Sequence, residues 1–176
     1  MFTPNATTQF EQAQGRAELS QAVHNIYLAA VNGSRKDWDL EAVGGALLTA
    51  GATFEDAQEV VDLVADARRL QALTPYIHQA YALAAVSLGP KVNGRLERAL
   101  ELALAGAVQL LGEDLATVRS SKGGDEVYTI NGACNCPDAG TRAPQVNGRP
   151  ACKHQLAVWL YRKADSLMCE ALTWEG

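Results

Sequence analysis

Four metal-capable side chains fall in two tight pairs late in the chain, Cys134-Asn135-Cys136 and Cys152-Lys153-His154, with fifteen residues (137–151) between them. No other feature restricts the fold so strongly. In extended backbone, residues i and i+2 project to the same side, so Cys134 and Cys136 can face one ion. Pro137 pushes Cys136 away from helical dihedrals and towards extended ones. The second pair comes just before an apolar-periodic segment (Leu156, Val158, Trp159, Leu160), which places Cys152 and His154 at a helix N-terminus. There the helix dipole and free N–H groups favour thiolate. Three thiols and one imidazole form a tetrahedral set suited to Zn²⁺. A catalytic zinc keeps an open position; four protein ligands close it. The expectation is therefore one structural zinc held by Cys134, Cys136, Cys152 and His154, with Arg142, Arg149 and Lys153 offsetting its negative charge. The competing reading, two disulfides, needs an oxidising compartment, and adjacent Cys-x-Cys thiols pair poorly with each other.

Around the ligands, residues 118–120 and 127–130 read as two short strands flanking a Ser-Lys-Gly-Gly-Asp turn at 121–125. Cys-Asn-Cys-Pro-Asp-Ala (134–139) follows, and Cys-Lys-His-Gln-Leu-Ala-Val (152–158) opens a helix. This order resembles the SWIM-type zinc finger over about residues 115–165. The resemblance implies a hairpin, a Cys-x-Cys-Pro-Asp turn and a Cys-Lys-His at a helix start, together a small ββα zinc-binding module. It also implies a protein that binds DNA or other proteins. One departure is Ala139, where the family often has an aromatic residue.

The rest of the chain reads as helix. Phe10, Ala13, Ala17, Val23, Ile26, Tyr27 and Ala30 fit a helix over 8–30 that Asn32-Gly33-Ser34 stops. A second is expected over 37–50, with Gly44-Gly45 either weakening it or allowing close contact. Thr53 and Asp56 form a capping pair for a third, ending near Ala72. Thr74-Pro75 looks like the start of a fourth, running to Leu88 before Gly89-Pro90. Asn93 can cap a fifth over 94–111. The expected fold class is thus mainly α: a helical bundle of about five helices at 1–112, then the zinc module at 113–176 with a long C-terminal helix. Leu156, Trp159, Leu160, Leu167 and Leu172 are expected to dock that helix, with Trp174 pinning its end.

Net charge is −5, unevenly spread. Residues 119–163 hold seven basic side chains against Asp125, Glu126 and Asp138, so the zinc module is the basic part of an acidic protein. That permits phosphate contact without demanding it, and a solvated surface explains it equally well. In the DNA-binding reading, Arg119, Lys122, Arg142, Arg149 and Lys153 touch phosphates. In the alternative, the helical unit is a protein-interaction adaptor and the zinc is purely structural. No enzyme is expected, because phosphate loops and nucleophile elbows are absent. His24 and His78 read as ordinary helical histidines, Cys169 as a free, partly buried thiol, and Asp138 as closing the zinc turn through backbone N–H groups. Residues 1–9 carry neither a basic n-region nor an apolar h-region, and the longest apolar stretch is too short for a bilayer. A cytoplasmic protein is the expectation.

Overall fold

Helices begin where a polar side chain takes up the first orphan N–H groups, and two such starts organise the first part of the chain. Asp39 Oδ1 accepts the Ala42 N–H at 2.7 Å, opening α2 (Leu40–Thr49) after α1 (Gln21–Asn32). Thr53 Oγ1 accepts the Asp56 N–H at 3.2 Å and donates to Asp56 Oδ2 at 2.7 Å, the expected cap for α3 (Phe54–Leu88). The computed structural model describes residues 21–33, 37–88, 92, 94–120 and 126–174. Expectations about residues 8–20, 89–91, Asn93, the 121–125 turn and the Trp174 side chain lie outside these. The described residues are mainly helical, with small antiparallel sheets, and none of their helices is long and apolar enough to cross a membrane.

Two compact units result, one up to Ala72 and one from Leu73 onward; Gly112, expected as a boundary, lies inside the second. In the first, Val23, Tyr27 and Ala30 of α1, Val43 and Leu47 of α2, and Ala57, Val60 and Val64 of α3 form one core. Arg68 reaches back to the C-terminal end of α1. Its Nε and Nη2 donate to the Ala30 carbonyl at 3.2 and 3.1 Å, and Nη1 to that of Trp38 at 2.8 Å. Gln71 Nε2 bonds the Val31 carbonyl. Orphan carbonyls are thereby satisfied, with a cation at the negative end of the helix dipole.

Two helix boundaries differ from the sequence reading. Thr74-Pro75 does not start a helix, for α3 runs unbroken from Phe54 to Leu88. Pro75 removes one i→i−4 bond, but the apolar stripe continues past it through the buried Leu73, Ile77, Ala80 and Ala84. In the other direction, the helix expected over 94–111 stops early. The fourth helix, α4 (Arg95–Leu104), ends in a Schellman motif: Gly106 at φ 64°, its N–H on the Ala103 carbonyl, and the Ala107 N–H on that of Leu102.

The chain then enters a four-stranded antiparallel sheet in the order β1 (Val108–Leu110), β2 (Leu115–Arg119), β3 (Val127–Asn131), β4 (Ala133–Cys134). The β2–β3 pairing is the expected hairpin, with Arg119 opposite Val127 and Ala116 opposite Ile130. The two-strand expectation misses β1 and β4. It also misses a second, two-stranded sheet, β5 (Gln145–Val146) with β6 (Arg149–Pro150). Between these sheets lies the short α5 (Pro137–Thr141), and the last helix is α6 (Lys153–Trp174). Leu96, Ala99 and Leu102 of α4, Ala116 and Val118 of β2, and Leu156, Ala157 and Leu160 of α6 share one core with the three cysteines of the paired motifs.

Candidate metal centre

Each ligand pair is set by a local device. Cys134 ends β4, opposite Ile130, just after the turn that Gly132 makes at φ 69°. Asn135, the residue between the two cysteines, ties the loop to β3 at both ends of its own residue. Its Oδ1 accepts the Thr129 N–H at 3.0 Å, and its N–H donates to the Thr129 carbonyl at 3.2 Å. Cys136 is extended (φ −72°, ψ 152°) and Pro137 is the first residue of α5, as the Cys-Pro order predicts. Cys152 acts as the cap of α6: its Sγ accepts the Gln155 N–H at 3.5 Å and its carbonyl the Leu156 N–H at 3.0 Å. His154 sits in the first turn of that helix.

These devices bring Cys134, Cys136, Cys152 and His154 together, all buried, with their ligand atoms within 4.8 Å of one another. Cys134 Sγ and His154 Nδ1 are 3.8 Å apart. Metal–ligand bonds of about 2.3 Å to sulfur and 2.0–2.1 Å to nitrogen imply tetrahedral edges of about 3.5–3.8 Å. The four residues can hold one metal ion, and the donor set is compatible with zinc. All four cysteines are free thiols. Cys134 donates to Cys152, and that hydrogen bond lowers Cys152 to about 4 while raising Cys134. Burial raises Cys136. Hydrogen bonds from His154 and the Gln155 N–H lower Cys152 further, against the opposing effect of burial.

Two contacts around the centre were not foreseen. Tyr128 of β3 lies against the His154 ring, centroids 4.4 Å apart and planes tilted by 33°. The imidazole thus has Tyr128 on one side and Cys134 Sγ at its Nδ1, while its Nε2 is buried with no hydrogen-bond partner. Asp138 does not close the turn through backbone N–H groups, as expected. Its carboxylate is taken by Arg95 of α4, Nε to Oδ2 and Nη2 to Oδ1, both 3.1 Å. Arg95 Nη2 also donates to the Arg142 carbonyl at 3.0 Å. The guanidinium holds Asp138 below the usual carboxylate range. Arg95 and Asp138 are 43 residues apart, and no periodicity links them; charge complementarity was the sole available signal.

The basic residues proposed as phosphate contacts separate into groups. Arg142 and Arg149 are exposed, one just after α5 and the other in β6. Arg119 is half-buried, Nη2 bonded to the Gly106 carbonyl at 3.2 Å, and burial lowers its pKa. Lys153 is half-buried in the first turn of α6, and Lys122 lies outside the described residues. His78 is exposed and His24 half-buried, both on helices. Cys169 is exposed, not partly buried. Among the described residues no second group of three metal-capable side chains occurs. Comparison with protein-family models, curated proteins and solved structures finds no match.

Proposed function

We propose that this chain is a nucleic-acid-binding protein of the SWIM type, acting as an accessory factor in DNA transactions, and that its metal is one structural zinc ion. The observation that supports this best is the state of Arg142 and Arg149. Both guanidinium groups stand exposed on the segment that the two ligand pairs tie down, and neither forms an ion pair among the described residues. The metal's part is to fix that segment. Four protein ligands leave it no open coordination position, so no catalysis belongs to this reading. Binding of labelled DNA to the zinc-loaded protein, followed by anisotropy, should weaken steeply with salt, and Arg142→Glu with Arg149→Glu should abolish it. Unchanged affinity in the double variant refutes the proposal.

A protein-interaction adaptor is the second reading, favoured by the exposure of Phe54 (74 %) at the start of α3. Absence of DNA binding at low salt would move the weight to it.

A further inference from the structure

One face of α6 is not committed to the core. Gln155, Trp159 and Arg162 stand at i, i+4 and i+7, a single helix face, and all three line a groove of about 1060 Å³. The β5–β6 hairpin lines it too, through Gln145, Asn147 and Arg149. Trp159 was expected to dock the helix, yet it is 42 % exposed while Val158 and Leu160 beside it are buried. Leaving indole surface in water forgoes about 25 cal/mol per Å².

We infer that this groove takes an unpaired base of single-stranded nucleic acid, stacked on Trp159, with the adjoining phosphate at Arg149. The inference deepens the nucleic-acid reading above and rests on it. Stacking on an aromatic face tolerates any base. The exposed carboxamides of Gln145 and Asn147 offer donors and acceptors together, so they can meet any base edge, while Gln155 is held in the wall by its bond from Nε2 to the Gly132 carbonyl at 3.3 Å. Arg149 is exposed and without an ion pair among the described residues. Arg162 is held in the wall by the bond from Nη2 to the Gly112 carbonyl at 3.0 Å, while its Nε is buried with no hydrogen-bond partner. Asp114 also lines the groove; its carboxylate repels phosphate, which leaves the backbone the Arg149 side. The volume lies just above the range for small-molecule pockets, about 300–1,000 Å³, as suits a stretch of polymer. Bases within a duplex are paired and stacked, and present no free face to an indole.

The test uses the zinc-loaded full chain with labelled oligo-dT and, separately, a duplex of equal length. Oligo-dT should quench tryptophan fluorescence. Trp159→Ala should remove the quenching and weaken oligo-dT binding about 5- to 150-fold, with Trp159→Phe intermediate and duplex binding little changed. Circular dichroism of both variants checks that the fold is kept, and Trp159→Phe retains the ring if the smaller side chain disturbs it. Duplex and oligo-dT binding that both Trp159 variants leave intact, quenching included, would overturn the groove while the nucleic-acid reading stood. Binding of neither oligonucleotide at low salt would overturn both.

Discussion

Arg95 grips the turn that follows Cys136, and the strength of that grip can be worked out. The two hydrogen bonds to Asp138 are each 3.1 Å, and the side chains are 27 % and 35 % exposed. Opposite unit charges at that separation attract by about 1.3 kcal/mol at a dielectric constant near 80 and by about 5 kcal/mol near 20. The exposure puts the pair close to the water limit. The paired geometry adds to it, so a coupling energy of about 1–2 kcal/mol is expected. A double-mutant cycle with Arg95→Ala, Asp138→Ala and both, read by urea unfolding of the zinc-loaded protein, isolates this energy. It should shrink in high salt. Because Asp138 lies two residues from Cys136, either single variant should also surrender zinc to a competing chelator about tenfold more readily. A coupling below about 0.3 kcal/mol, with zinc retention unchanged, would refute the view that this pair braces the metal turn.

Removal of the metal should unfold the unit built around it, since structural zinc supplies an apparent 10–16 kcal/mol, as much as a whole domain's stability. After chelation the helical signal of α4 and α6, 10 and 22 residues, should fall while the core of residues 21–72 persists; unaltered circular dichroism and protease resistance would contradict this. Alkaline stability should report Tyr27, which burial raises from 10.0 to about 12. The folded protein holds that proton more tightly than the unfolded chain. The contribution is therefore complete below pH 10 and vanishes as pH rises through about 12, a loss of about 3 kcal/mol. Tyr27→Phe should lose that much less than the parent between about pH 9 and 12 in urea unfolding; equal losses would assign the alkaline sensitivity to other groups.

The ligand arrangement was legible because its causes are local. A Cys-x-Cys before proline and a Cys-x-His before an apolar-periodic run leave few geometries, and the described turn and helix start match them. Two other features were legible and went unread. Gly106 ends α4 because it alone in its alanine-rich surroundings adopts a left-handed conformation without cost, and the run of alanine and leucine on either side masked it. Asn147-Gly148, with φ of 50° and 74°, is the strongest short hairpin signal a sequence offers, and it turns the chain between β5 and β6. Pro75 misled because a stop signal in sequence is only one energy term, and the apolar stripe through Leu73 and Ile77 outweighs it. The Arg95–Asp138 pair and the exposure of Trp159 depend on elements that meet only after folding, so no local pattern encodes either.

The four-stranded sheet ends in very short strands. Its flanking members are β1, three residues, and β4, two residues. A strand that length offers an incoming chain only a few free N–H and C=O groups, too few to template a lengthening ladder. This sheet is thereby a poor template for edge-to-edge growth. The same brevity constrains recognition, because these edges offer an added strand few groups to pair with. Recognition through side chains is the mode this sheet leaves open.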